Sequence, residues 1–273
     1  MRTGKKNKLL RGWLLFAMLI LLAAALPLTA HAKSTKKKNK WVKKNGYYYY
    51  YNSKGKKSKG LTKIGSKKYY FDSKGRQRTG WRKIGSDIYF FRNKSKKSGF
   101  MKKSTRVNGI WLGKKGRAQL TSERARRKAA LMVNYQNWVD QLTTPKMTQE
   151  QKLMRCFDYL RSSFTYRVVF EELSGYGTEW DIGGAEYIYV NGQYFECWSI
   201  ACAFGYMANA IGCEKVWICA HECSGGHGWV EIGGKIYDPS LARSDLSSYR
   251  YFATLNRDPQ EAPRVYVKKL SLL

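Results

Sequence analysis

Two periodicities divide this chain, and they meet near residue 120. From Trp41 onward, aromatic runs alternate with turn-forming residues at a fixed interval. Trp41 to Gly60 reads WVKKNGYYYYYNSKGKKSKG, Leu61 to Gly80 reads LTKIGSKKYYFDSKGRQRTG, and Trp81 to Phe100 reads WRKIGSDIYFFRNKSKKSGF. A fourth, worn copy begins at Met101. A fixed period of 20 residues marks an array of small supersecondary units. In each copy the aromatics (Tyr48 to Tyr51, Tyr69 to Phe71, Tyr89 to Phe91) precede Asn-Ser-Lys-Gly, Asp-Ser-Lys-Gly or Asn-Lys-Ser-Lys. Aromatics suit a pleated surface and Asn, Asp and Gly suit turns, so each copy reads as strand, turn, strand. One hairpin is marginal in water, so the hairpins must stack.

Past residue 120 the period lengthens to that of a helix. Leu131, Tyr135, Trp138 and Leu142 share one face, and Leu153, Phe157, Leu160 and Phe164 line a second helix. Thr148 and Gln151, just after Pro145, form a capping box at its start. EYIYVNGQYF, Glu186 to Phe195, reads as a β-hairpin around Asn191-Gly192. Cys197 to Gly212 is apolar nearly all round, the pattern of a buried central helix ending at glycine. Lys215 to Cys223 and His227 to Ile232 read as strands, and Gly233-Gly234 returns the chain from Lys235 in a tight hairpin.

Charge sharpens the division. The chain carries a formal net charge of +32, with 51 Lys and Arg against 19 Asp and Glu. Residues 33–118 hold 29 of the basic residues and only two acids, Asp72 and Asp87, whereas 119–273 balance 17 against 17. The basicity therefore belongs to one module. Before it, Arg2, Lys5, Lys6, Lys8 and Arg11 lead into an apolar run from Trp13 to Leu26, closed by Ala30-His31-Ala32. That order is the grammar of a secretory signal, and the run is shorter than the roughly 20 residues of a spanning helix. The expected organisation is a signal peptide over 1–32, a basic repeat module over 33–120 and a separate domain over 121–273. Membrane contact is expected only through the signal. A polycation of this density suits a polyanionic partner, and export argues against nucleic acid.

The neutral half carries candidate chemistry. Cys197 falls on the first turn of its helix, where unpaired N–H groups and the helix dipole favour a thiolate and can receive an oxyanion. Strand register supplies partners for it. With Ile232 opposite Lys235, Trp229 faces Asp238, and His227 lies diagonally across from that carboxylate. Cys197, His227 and Asp238 then read as nucleophile, base and orienting acid. His221 is the rival base but has no carboxylate at hairpin spacing. Cys202 sits inside the helix as an inert apolar group. Cys219, His221 and Cys223 alternate along one strand without an assured fourth ligand, so neither metal nor cofactor is expected.

Two resemblances sit on these residues. The pattern W-x-K-x-G … YYFDSKG … TGW resembles the cell-wall-binding repeats of Gram-positive surface proteins, of choline- and glucan-binding type, over about Trp41 to Leu120. It departs from them at Leu61 and Met101, where an opening Trp is usual, and at Lys68. Choline-binding members surround a quaternary ammonium with aromatic rings, so the resemblance implies wall polymers (teichoic acid, choline or glucan) as partners. From Thr148 to Leu241, a Cys at a helix start, His-x-Trp on a strand and Tyr-Asp-Pro on its partner resemble the transglutaminase-like superfamily. That resemblance implies an α+β domain with a papain-like fold, a central buried helix packed on an antiparallel sheet, and a triad of Cys197, His227 and Asp238. It departs at Phe195, where glycine is frequent, and at Gly228, where the usual HAW reads HGW. The implied activity is thiol acyl transfer on amide bonds of a protein or peptide, as a cysteine peptidase or amidase. The alternatives are a crosslinking transglutaminase and a wall-binding surface protein without catalysis.

Overall fold

A computed structural model describes residues 37–273, except 94–95, 168–176, 222–226, 245, 248, 256–265 and 273. The expected signal segment over 1–32 and Cys223 lie outside the described residues. Each repeat forms an antiparallel hairpin: β1 (Lys40–Lys44) with β2 (Tyr47–Tyr51), β3 (Gly60–Ile64) with β4 (Lys67–Phe71), β6 (Gly80–Ile84) with β7 (Asp87–Phe91). The worn fourth copy supplies β8 (Thr105–Val107) and β9 (Ile110–Leu112). The hairpin turn differs from the sequence expectation. It falls at Asn45-Gly46, Gly65-Ser66, Gly85-Ser86 or Asn108-Gly109, before the aromatic strand and not after it. The Asn-Ser-Lys-Gly and Asp-Ser-Lys-Gly segments make a second turn. Asn52 Oδ1 accepts from the Lys54 and Lys56 N–H groups, both at 3.0 Å, and Asp72 Oδ1 does the same for Lys74 and Arg76 at 3.0 and 2.9 Å. These side chains turn the chain back for a short pairing, as in β5 (Gln77–Arg78) against β4.

Four helices follow: α1 (Glu123–Leu142), α2 (Gln149–Ser163), α3 (Trp180–Asn191) and α4 (Cys197–Ile211). Ser122 Oγ caps α1 on the Ala125 N–H at 3.2 Å, and Thr148 with Gln151 forms the expected capping box of α2. The expected hairpin over Glu186–Phe195 is instead helix α3, followed by Gly192 at φ 67°. Asn-Gly supports a left-handed residue in a hairpin or at a helix C-terminus alike. Burial of Ile182, Ala185 and Ile188 at helical spacing selects the second. Tyr194–Phe195, β11, then pairs in parallel with Thr165–Tyr166, β10.

The C-terminal sheet is antiparallel, in the order β15 (Phe252–Thr254), β14 (Lys235–Tyr237), β13 (His227–Ile232), β12 (Lys215–His221), β16 (Tyr266–Ser271). Ile232 pairs with Lys235, as expected, across Gly233 and Gly234 at φ 60° and 80°. Two successive left-handed residues define the two-residue turn that fixes parity between β13 and β14. Helix α4 is buried over nearly its whole length, against β12 and β13 on one side and the other helices on the other.

The repeats do not stand apart. One hydrophobic core runs from Trp81, Phe90, Val107 and Leu112 of the array to Tyr135, Phe204 and Ile218 beyond it. Asn108 and Asn209 pair through their side-chain amides, and the Asn108 N–H donates to Ser271 O at 2.9 Å. Asp140 of α1 accepts from both Arg78 and Arg82, and Arg82 is buried. Asp140→Ala leaves that guanidinium without its counter-charge. Arg78 and Asp140 keep 18% and 21% of their side-chain surface exposed, which reduces the cost below that of a fully buried pair, so a loss of about 2 kcal/mol in urea unfolding is expected. No change in the unfolding midpoint would show the pair to be dispensable.

Candidate functional site

The first turn of α4 presents Cys197, 5% exposed. Glu196 precedes it in extended conformation, and its backbone N–H donates to Ser199 Oγ at 2.9 Å. Trp198 Nε1 donates to Glu196 Oε2 at 2.5 Å, which ties down the residue on the other side of the sulfur. Strand β13 passes directly over this turn. A Cβ on Gly228 would lie 2.5 Å from Trp198 Cα, so only glycine lets the strand come this close. The adjacent His227 is thereby brought into hydrogen-bonding contact with the Cys197 thiol.

Asp238 follows β14 and is fully buried. Its Oδ2 meets His227 Nε2 at 2.5 Å, which leaves Nδ1 for the sulfur. Its Oδ1 accepts from the Ser240 N–H and Leu241 N–H, each at 3.0 Å, and from Ser240 Oγ at 2.6 Å. With both oxygens engaged, the carboxylate has one orientation. Trp229 lies nearly parallel to the imidazole, at 19° and 6.2 Å, and donates from Nε1 to Glu231 Oε1 at 3.0 Å. The structure thus brings Cys197, His227 and Asp238 together in that order.

Burial alone would lower the His227 pKa, but the hydrogen bonds to Asp238 and Cys197 outweigh it and raise it to about 10. A positive imidazole beside the sulfur stabilises the negative charge of a thiolate. The raised value also links His227 to stability. Its contribution is complete below about pH 6.5, the ordinary imidazole value, and is lost as pH rises towards about 10. Between about pH 6.5 and 9.5, wild type should therefore lose more stability in urea than His227→Gln. Parallel losses would remove the ionic account of this contact.

His221 stands directly opposite His227 on β12. Its pKa is lowered, first by burial and then by the His227 charge, and its ring packs 5.9 Å from Trp229. Burial pushes Cys156 and Cys213 up to about 12 and Cys202 well above its ordinary value. Among the described residues no group of three or more His, Cys, Asp or Glu is arranged to hold a metal ion.

Sequence reasoning missed Tyr166, Trp198, Gly228 and Ser240 as parts of this site. Tyr166 reaches it through the β10–β11 pairing, and its phenol is raised by burial first and then by the charges of Cys197 and Glu196. Only Ser240 left a local signal, since Asp-Pro-Ser is a side-chain-closed turn motif.

In the repeats, Trp41 meets Tyr50, Tyr69 and Phe71 at 5.4, 5.1 and 5.8 Å between ring centroids. Several neighbouring ring faces already carry a cation of this chain. Lys57 Nζ lies 4.4 Å from the Tyr49 centroid, Arg76 lies 4.8 Å from that of Tyr47, and Lys67 Nζ lies 4.1 Å from that of Phe100.

Residues 58–105 match the family described as choline-binding repeat. This part of the chain is similar to repeats of choline-binding type. No curated protein matches the chain significantly. Among solved structures, choline binding protein F of Streptococcus pneumoniae, determined with a peptidoglycan analogue, is 25% identical over 29% of this chain and 25% of its own, with a TM-score of 0.26. The choline binding domain of Spr1274 from the same organism is 25% identical over 29% of this chain and 92% of its own, at 0.26. A pneumococcal cell wall endolysin from phage Cp-1, complexed with choline, is 25% identical over 32% and 26%, at 0.22. The chain spans about a quarter of choline binding protein F.

Proposed function

We propose that this chain is an exported, wall-bound thiol enzyme that cleaves amide bonds, its repeats holding it to a wall polymer. The single observation carrying the catalytic half is the contact chain from Cys197 through His227 to a doubly anchored Asp238. Its topology, a helix start against an antiparallel sheet, supports the papain-like and transglutaminase-like reading of residues 121–273. The Cys197 thiolate attacks the amide carbonyl carbon, and the Cys197 N–H at the head of α4 receives the developing oxyanion. His227 donates its proton to the departing amine as the C–N bond breaks, leaving a thioester. Water then loses a proton to His227 while attacking the thioester, and the carboxylic acid product leaves as the sulfur is regenerated. A lysine amine in place of water would give an isopeptide crosslink. Hydrolysis is preferred because water is the abundant acceptor at a wall surface.

The second reading is a wall-binding protein without catalysis, favoured by the family match, which falls on the repeats alone. Purified protein lacking residues 1–32 separates the two when treated with an activity-directed cysteine electrophile. Modification at Cys197 together with release of amine from peptide substrates supports the enzyme. Wall binding with an unmodified Cys197 supports the second reading.

A further inference from the structure

The array contains a pocket in which lysines make up most of the lining. It measures about 420 Å³ and is lined by Ser66, Phe100, Met101 and six lysines: Lys67, Lys68, Lys102, Lys103, Lys114 and Lys115. Its frame joins three repeats through the backbone. The Met101 N–H donates to Lys68 O and the Lys102 N–H to Phe90 O, both at 2.8 Å, while Gly116 packs against Met101. The lysines are thus gathered by fixed main chain and not merely scattered over a surface.

No carboxylate lines this pocket, and none in the array is left to neutralise it. Residues 33–118 hold two acids. Asp72 is paired with Arg76 at 2.7 Å and Asp87 with Arg117 at 3.0 Å. Six like charges around one cavity repel one another, and an anion entering it relieves that repulsion. The same field opposes a quaternary ammonium. The one aromatic ring present, Phe100, already carries Lys67 at 4.1 Å and Arg92 at 5.4 Å, so its cation-accepting face is taken.

We infer that this pocket binds the phosphodiester groups of a polyol-phosphate polymer, and that it does so without choline. All six charges are ammonium points and none is a guanidinium fork, which suits a tetrahedral phosphodiester better than the bidentate grip of a planar carboxylate. A polymer fits better than a single ion, because six cations around about 420 Å³ accommodate more than one anionic group. The inference rests on the wall-binding half of the proposed function and is independent of the thiol chemistry.

The test uses the full exported chain, titrated by calorimetry with a synthetic glycerol-phosphate oligomer at several salt concentrations. The triple variant Lys68→Gln, Lys103→Gln, Lys114→Gln removes three exposed pocket charges. A control of equal charge, Lys54→Gln, Lys56→Gln, Lys59→Gln, removes three exposed charges elsewhere in the array. The pocket variant should bind at least about tenfold more weakly, with a salt dependence shallower by about two to three counterions, and the control should stay within about threefold of wild type. Choline chloride should not displace the oligomer. Equal weakening in both variants would show a diffuse basic surface and overturn the pocket. Displacement by choline would overturn the exclusion of quaternary ammonium. Retained binding of the pocket variant to intact walls, with no loss for the oligomer, would reject the pocket while leaving the wall-binding reading in place.

Discussion

Cys197→Ala is expected to abolish modification at this position and to lower amide turnover on the order of 10³-fold or more, the scale seen when a nucleophile of such a unit is removed. Three other described cysteines do not substitute for it, because burial raises the Cys156, Cys202 and Cys213 thiols out of the reactive range. Cys197→Ser keeps the side-chain volume and separates chemistry from packing. It should fold as wild type does, yet turn over almost as poorly as the alanine variant, since a hydroxyl lacks the acidity that the imidazole exploits. Turnover unchanged by either replacement would place the reaction elsewhere, and mass mapping of the modified peptide identifies where.

Gly228→Ala is the second large effect, and it acts without touching a reacting atom. The added methyl would fall 2.5 Å from Trp198 Cα and 3.0 Å from Trp198 N, both backbone atoms at the head of α4. Neither can rotate away, so β13 and the helix start must separate. Crowding of this kind costs about 1–3 kcal/mol, which leaves the protein folded. The sulfur and imidazole are drawn apart, however, and a displacement near 1 Å lowers turnover about 10²-fold. A second readout distinguishes positioning from general damage. With its thiol partner withdrawn, the His227 imidazole titration followed by NMR should move down from about 10. An alanine variant with wild-type turnover and an unmoved titration would show that this close approach is not what sets the pair.

Much of the site could be read from order and parity alone. The Gly-Gly turn sets which strand positions oppose one another, so the diagonal relation of His227 to Asp238 followed from counting residues. The helix beginning at Cys197 was legible because its apolar run starts there and ends at Gly212. The Asn191-Gly192 segment was misread for a definite reason: a left-handed residue closes hairpins and helices alike, and only burial of one helical face decides. The turns of the repeats were misplaced for a related one. Each copy contains two turn-forming clusters, and local propensity does not say which of them joins the paired strands.

Sequence by itself determined the period-20 array, the split between a polycation and a neutral α+β half, and the identity of Cys197, His227 and Asp238 as candidates. These are properties of local pattern, since repeat spacing, charge and strand parity are written in neighbouring residues. Tertiary structure alone decided the single core linking array to domain, the near contact of Gly228 with Trp198, the arrival of Tyr166, and the gathering of six lysines around one cavity. Each of those joins residues distant along the chain. Their meeting depends on how packed surfaces fit, and no short-range preference encodes that fit.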